Sequence, residues 1–480
     1  MSDTALPFYV QQAALNHPRQ TAFITEHNRF SYAWYDQAVR TMAGMLHEGG
    51  ITNNKRVALV GGPLLKQIVA IGALLENGAV AVMVNPKQPP HSLREQMSIA
   101  GCNAILADEP LPKMNQSTIF WRQLSLPQDS DQPTGRNRPL SLSRKQPVTI
   151  VFTSGSTATI KAALHTYGNH YFSAAGSNEN ITLQPDDTWL LSLPLFHVSG
   201  IGILFRAALS GAAVAIPPSV SDIGDTINRF NPTHVSMVST QLERLLHSAE
   251  LTSRAENSFK AILLGGSAFA PGQLQAAYQR RWPVHVSYGS TEMSSQISTT
   301  RPGAQLAELR TAGKILKHRQ VKIDRQNEIL VKGETLFAGY VEDQHLQPSR
   351  DKEGWFHTRD TGRFDAAGNL LVTGRLDRMF ISGGENIAPE EIERQLENLD
   401  GIRKAAVVPV PDATYGYRPV AFIRTSPSAG IDPQHIKQQL HRQMAGFKIP
   451  DHFLPWPENQ EDTLKTDYKT LQHLAIQQIK

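Results

Sequence analysis

Short apolar strands alternate with helical stretches through the first three-quarters of the chain, and this alternation is what most restricts its fold. "RVALV" (56–60) reads as a strand, "LLKQIVAIGALLENG" as a helix ending near Gly78, and "AVAVMV" as the next strand. "AILLGG" and "HVSYGS" later repeat the theme of a strand closed by glycine. Strands alternating with helices build an α/β architecture with largely parallel sheets, whose functional loops lie at the carboxyl ends of strands. The polar stretch "SLPQDSDQPTGRNRPLSLSRKQP" interrupts the pattern and reads as a surface loop joining subdomains.

The last quarter changes character. Pro389 opens a helix whose positive end suits Glu390, Glu391 and Glu393, with Ile392, Leu396 and Leu399 on one apolar face. "AAVVPV" reads as a strand and "PQHIKQQLHRQM" as a second amphipathic helix. The expectation is therefore an α/β chain with a large N-terminal domain of mixed and parallel sheets (1–376) and a small α+β domain (377–480). At 480 residues, two or more domains are the natural division of the core.

Charge and composition exclude several classes. With 47 basic and 43 acidic residues, a broad nucleic-acid or membrane surface is not expected, while a local basic pocket for phosphates is compatible. One cysteine, Cys102, allows no internal disulfide and no metal cluster. The start lacks a basic segment followed by an apolar core, so no signal peptide is expected, and no apolar run is long enough to span a bilayer. A cytoplasmic location is the resulting expectation, and homo-oligomerisation is left open.

Four stretches carry chemistry. "TSGSTATIKAALH" (153–165) is not a Walker A loop, because Ile160 stands where the second glycine belongs. Its hydroxyls on Thr153, Ser154, Ser156 and Thr157, the turn at Gly155 and the charge of Lys161 nonetheless suit phosphate. Taken alone, it reads more readily as a Ser/Thr-rich polar turn than as a phosphate loop. "YGSTEM" (288–293) offers an aromatic ring at Tyr288 to stack on a base, a hydroxyl at Thr291 for a phosphate, and Glu292 for a magnesium ion. "GWFHTRDTG" presents Asp360, a carboxylate suited to ribose hydroxyls, and "TGRLDRMFISGGENI" sets Arg375 and Asp377 beside a glycine-rich turn. An isolated Arg–Asp pair is usually a surface ion pair, but this one falls at the expected domain junction, where a hinge belongs.

In this order the four stretches resemble the core motifs of the adenylate-forming superfamily: acyl-CoA synthetases, nonribosomal adenylation domains and luciferases. The resemblance runs from "FSYAWYDQAVRTMAGML" to "LKTDYKTL". It implies ATP and Mg2+ bound at Thr153–Thr157, Lys161, Tyr288, Gly289, Thr291, Glu292, Asp360 and Arg375, with Glu292 on the metal. It also implies a mobile lid hinged at Asp377, and a turn of Ser382, Gly383 and Gly384 at the site of coenzyme A, the second substrate. "LLGGSAF" (263–269) matches the wall of both pockets, with Gly266 and Ser267 toward the nucleotide and Gly265 and Gly289 toward the acid.

The implied reaction activates a carboxylate as an acyl-adenylate and then passes the acyl group to a thiol. Such chemistry rests on positioning and on neutralising phosphate charge. The resemblance places the catalytic lysine in "TLKTDYKTL", where Lys465 aligns best and Lys469 is the alternative; the usual preceding glycine and following arginine are missing. "WLLSLPLFHVSGIGILFR" (189–206) is similar to the acid pocket of the o-succinylbenzoate–CoA ligases of menaquinone synthesis. There His197 matches the gate between acid and adenylate, counted with Lys465 as catalytic, and Ser199 and Arg206 match positions that recognise a second carboxylate. An aromatic dicarboxylate is thus the expected acid, since an arginine can hold the carboxylate that is not activated.

The phosphate loop departs from the family where Ala158 replaces glycine and Ile160 replaces proline. An alanine at a position needing positive φ costs about 1 kcal/mol. A slower but active loop is the expectation. The sequence contains no G-x-S-x-G elbow, which argues against a serine hydrolase.

Overall fold

The computed structural model describes residues 5–111, 116–128, 139–154, 160–219, 222–426, 430–457 and 466–479. Two large sheets organise the N-terminal part. In the first, Arg56–Leu59 lies parallel to both Val80–Met83 and Ala104–Ala107, and Val80–Met83 in turn lies parallel to Pro147–Ser154. Ile160–Thr166 then folds back antiparallel on Pro147–Ser154, pairing Lys161 with Thr153. These strands read as unbroken apolar runs because helices cover them on their faces.

In the second sheet the parallel run Thr188–Leu190, His234–Met237, Ala261–Leu264 and Val284–Ser290 forms the centre. Antiparallel strands close both edges, Ser295–Thr299 with Lys314–Ile315 at one and Thr21–Ile24 with Arg29–Ser31 at the other. A four-stranded antiparallel sheet follows in the order Arg319–Ile323, Glu328–Gly333, Phe356–Phe364, Leu370–Arg375.

The architecture is therefore α/β with mixed rather than purely parallel sheets, as the alternating pattern led one to expect. The helix Leu64–Glu76 ends two residues before Gly78, whose φ of 70° reverses the chain. The polar segment before Val148 differs from a plain loop. Its residues Ser141–Ser143 form a strand that pairs antiparallel with Ala5–Pro7, a short edge pairing that leaves no periodic signal.

Beyond Asp377 a hairpin (Phe380–Ser382, Glu385–Ile387) precedes the helix Pro389–Glu397 and a three-stranded sheet of Ile402–Asp412, Gly416–Thr425 and His452–Pro455. Helices Pro389–Glu397 and Pro433–His441 cover one face of that sheet, through Ile392, Leu396, Ile436 and Leu440. The helix Tyr468–Ile479 covers the other face, through Leu471 and Ala475. Leu399 falls just past its helix but still packs on the same core. Among the described residues no helix is long and apolar enough to cross a membrane.

Candidate active site

The carboxyl ends of the central strands open onto a cleft of about 2540 Å3, closed on its far side by residues beyond Asp377. Gly155, Ser156 and Thr157 lie outside the described residues, as do Ala158 and Lys465; Ser154 is the last residue of its strand. Thr153 and Lys161, on neighbouring strands, line the cleft at the base of that loop. The Lys161 ammonium sits 5.0 Å from the centre of the Tyr340 ring, and the Tyr340 hydroxyl donates to Glu292 Oε1 at 2.6 Å. Cation, ring and carboxylate thus form one row, in which the tyrosine fixes the orientation of Glu292.

Thr291 and Glu292 are held by their backbones as well. The Thr291 carbonyl meets His165 Nε2 at 2.7 Å, and the Glu292 carbonyl accepts from the Phe337 amide at 2.8 Å. Burial holds the His165 imidazole down to about 4, so it is neutral here and donates from Nε2. Among the described residues no group of three or more His, Cys, Asp and Glu side chains could enclose a metal ion. Magnesium, however, is commonly held by one or two carboxylates plus substrate phosphates. A single oriented Glu292 on the wall of this cleft, near Lys161 and Thr291, fits an ion that arrives with its nucleotide.

Tyr288 and Asp360 meet directly: the phenol donates to Asp360 Oδ2 at 2.6 Å, while Arg375 Nη1 donates to Oδ1 at 2.7 Å. Burial raises the Asp360 carboxyl above the usual range, opposed by the Arg375 charge. Arg375 also reaches Asp377 through Nε at 2.8 Å and Nη2 at 3.0 Å. One guanidinium therefore spans from the sheet residue Asp360 to Asp377. Gly265, Gly266 and Ser267 follow the strand Ala261–Leu264 and line the cleft, with Gly266 at a φ of 82°. Gly289 is required by packing, since a Cβ there would overlap the Ser295 carbonyl.

One wall of the cleft is built on the helix Val198–Ser210. His197 precedes it, exposed to the cleft, with its ring 4.8 Å from that of Phe196; Ser199 lies in the first turn. Gly200 lets this turn press on the Pro194 carbonyl, which a Cβ would overlap. Arg206 lies two turns on, only 1% exposed yet part of the cleft lining. Its Nη2 donates to Ser295 Oγ at 3.0 Å and its guanidinium sits 5.3 Å from the Trp189 ring. Its Nε has no hydrogen-bond partner, and among the described residues no carboxylate forms an ion pair with it. Burial alone lowers this guanidinium to about 10. A second buried arginine, Arg319, satisfies itself on the carbonyls of Gln296, Lys317 and Ser173 and feels the charge of Arg206.

Sequence reasoning missed the device that holds Arg206. Ser294 and Ser295 occupy φ values of 55° and 120°, and this left-handed turn presents Ser295 Oγ to the guanidinium. Ser294 is anchored by its own hydroxyl on the Thr335 carbonyl at 3.0 Å and by Ser173 Oγ on its carbonyl at 2.8 Å. The only sequence signal was a pair of serines directly after "YGSTEM".

Beyond Asp377, Thr466, Asp467, Tyr468 and Lys469 line the cleft, so Lys469 and the segment following Lys465 face it. Arg378 stacks its guanidinium 3.6 Å from the Tyr468 ring centre and pairs with Glu390 and Glu393 at 2.8 and 2.7 Å. The expected turn at Ser382, Gly383 and Gly384 is not part of the cleft lining. Ser382 is buried, and the Gly383 amide donates to the Tyr415 carbonyl at 2.9 Å.

Two family models match the chain: "AMP-binding enzyme" over residues 10–341 and "AMP-binding enzyme C-terminal domain" over residues 391–461. The chain belongs to the AMP-binding enzyme family. Among similar curated AMP-binding enzymes, the 2-succinylbenzoate–CoA ligase of Listeria monocytogenes serotype 4b (strain F2365) is 31% identical over 446 residues. The match covers 92% of this chain and 93% of the relative. The 2-succinylbenzoate–CoA ligase of Bacillus subtilis (strain 168) is 31% identical over 465 residues, covering 94% of each.

Solved AMP-binding enzymes superpose closely. The o-succinylbenzoate CoA synthetase of Bacillus subtilis in complex with the acyl-adenylate intermediate OSB-AMP matches with a TM-score of 0.84 and 29% identity over 98% of both chains. The same enzyme in complex with ATP and magnesium ion matches at 0.82 and 29%, covering 97% of this chain and all of that one. As an AMP-binding enzyme, the chain uses its two family domains to form the walls of the cleft described above.

Proposed function

We propose that this chain is an AMP-forming 2-succinylbenzoate–CoA ligase. The observation that carries the acid specificity is Arg206, a buried guanidinium on the cleft wall with an open Nε and no carboxylate of its own among the described residues. An uncompensated buried cation is costly unless something supplies the opposite charge. A substrate with one carboxylate to activate and a second to be held supplies it. A fatty acid does not.

In the first half-reaction a carboxylate oxygen of the acid attacks the α-phosphorus of ATP. The new O–P bond forms as the bond to the β-phosphate oxygen breaks, giving acyl-adenylate and pyrophosphate. In this reading Thr153, Lys161 and the loop from Ser154 to Thr157 grip phosphate, and Asp360 reads the ribose. Glu292 would hold the magnesium ion, which neutralises phosphate charge when bound. Gly265, Gly266, Ser267 and Gly289 shape the walls, His197 gates acid against adenylate, and Ser199 assists Arg206. Lys465, or alternatively Lys469 on the cleft wall, supplies cationic charge at the reacting centre.

In the second half-reaction the sulfur of coenzyme A attacks the acyl carbonyl, the thiol gives up its proton, and AMP leaves. The turn at Ser382–Gly384 lies away from the cleft, so its service to coenzyme A requires rotation of residues 377–480 about Asp377. The product would enter menaquinone biosynthesis in the cytoplasm. The deciding experiment incubates the protein with ATP, magnesium and coenzyme A against a panel of acids and measures pyrophosphate. Release with 2-succinylbenzoate in preference to benzoate, succinate and fatty acids is expected; turnover of another acid with none of this one would refute the assignment.

A further inference from the structure

Arg359, next to Asp360, holds a φ of 63°, a left-handed conformation unusual for a side chain of that size. Its neighbours explain how it stays there. Glu328, 3% exposed and absent from the cleft lining, accepts the Arg359 amide on Oε1 at 2.9 Å. Its other oxygen, Oε2, lies 2.9 Å from His357 Nδ1. One buried carboxylate therefore holds the Arg359 backbone amide with one oxygen and the His357 imidazole with the other, on the near side of Asp360.

The consequences reach both sides of the kink. Strand pairing shifts register between Glu328 and Leu330 on one side and between Thr361 and Gly362 on the other. Between these two shifts, Asp360 comes opposite Arg375 and under the Tyr288 hydroxyl. The Arg359 carbonyl, turned by the same kink, accepts the Leu376 amide at 2.7 Å, one residue before Asp377.

We propose that Glu328 is a positioning residue for nucleotide recognition: by clamping Arg359 in the left-handed region it aims the Asp360 carboxylate at the ribose. Glu328 does not line the cleft and acts on Asp360 through the neighbouring backbone at Arg359. The proposal rests on the reading of Asp360 as the ribose-binding carboxylate. A left-handed arginine is a conformation that must be held by its surroundings, and strained residues of this kind concentrate where a site needs them. What Glu328 contributes is two accepting oxygens in a buried place, so an acceptor is needed there rather than a charge.

The test compares kcat/KM for ATP and 3′-deoxyATP, with 2-succinylbenzoate and coenzyme A saturating. It uses wild type, Glu328→Ala, Glu328→Gln and the double variant Glu328→Ala/Arg359→Gly. Wild type is expected to prefer ATP. Glu328→Ala should lower kcat/KM for ATP about 10- to 100-fold, chiefly through KM, and leave 3′-deoxyATP nearly unchanged, so that the preference collapses. Glu328→Gln keeps one accepting oxygen and should retain most of the preference. Glycine at 359 adopts positive φ without a Cβ and should restore part of what Glu328→Ala loses.

Equal losses for both nucleotides, or a preference that survives Glu328→Ala, would overturn the positioning role. A wild type that does not distinguish the two nucleotides would instead overturn the ribose reading of Asp360 beneath it, a separable result. If Glu328→Ala does not fold, Glu328→Asp takes its place, because its carboxylate falls one methylene short of the Arg359 amide; the same collapse is expected, and its absence counts against the proposal.

Discussion

Arg206 Nη2 lies 3.0 Å from Ser295 Oγ, a neutral hydroxyl holding a cation that is 1% exposed. Among the described residues no carboxylate neutralises this charge at the wall of the cleft, and the two costs of removing it have opposite signs. Arg206→Met takes away a buried charge without orphaning a carboxylate, so the free protein should melt at the same temperature or higher. The same change should raise KM for 2-succinylbenzoate about 10- to 100-fold, the worth of a charge-assisted hydrogen bond of ~1.5–3 kcal/mol. Calorimetry alongside steady-state kinetics checks both; a lower Tm with unchanged KM would place Arg206 in the scaffold instead.

The hydroxyl of Tyr340 fixes Glu292, and its removal should be read in magnesium rather than in fold. Tyr340→Phe keeps the ring that lies 5.0 Å from Lys161 and deletes only the hydrogen bond to Glu292. The magnesium concentration for half-maximal pyrophosphate release should rise roughly tenfold, as when an outer partner of a metal ligand is lost. A titration at constant free ATP gives the answer, and an unchanged midpoint would count against Glu292 as the metal carboxylate.

Arg378 ties together three parts of residues 377–480. Besides Tyr468 and Glu390, it meets Glu393, whose Oε1 also accepts the Val407 amide at 2.7 Å. Arg378→Met leaves two half-buried or buried carboxylates without their cation, a loss of ~3–5 kcal/mol. Hydrogen exchange should show residues 389–397 and 402–412 opening early while the central strands of the large sheets stay protected. Uniform protection across residues 377–480 would refute this.

Two buried histidines predict acid lability. Burial holds His165 and His234 down to about 4, against an ordinary value near 6.5. Between these values the unfolded chain binds protons that the folded chain refuses. Stability is therefore complete above pH 6.5 and falls as pH drops toward 4, by up to about 1.4 kcal/mol per pH unit for each group. The urea midpoint should decline across that window, and His234→Gln should make the decline shallower; a midpoint level from pH 7 to 4.5 would contradict it.

The fold was legible where periodicity is long and local. Arg56–Leu59, Leu64–Glu76 and Pro389–Glu397 lie where their apolar patterns put them, within a residue or two. The strand Ser141–Ser143 was not legible, because its partner Ala5–Pro7 lies far along the chain and three residues carry no period. At the site, residues in named motifs were readable and their holders were not. Arg206, Glu292 and Asp360 could be proposed from the sequence, whereas Ser295, Tyr340 and Glu328 act through distances that only the assembled sheets create. The Ser382–Gly384 turn, expected at the coenzyme A site, packs beside Tyr415 and off the cleft, since a motif specifies a loop and not where the surrounding elements set it.

Arg375 binds Asp360 with one nitrogen and Asp377 with two others. On the proposed reading, the ribose carboxylate and the hinge residue therefore share a single side chain. For an evolving lineage that reading is pleiotropy in miniature: a substitution at 375 that adjusts the proposed hold on AMP also adjusts the proposed swing of residues 377–480. Improvements in either trait must come from elsewhere, or from both at once.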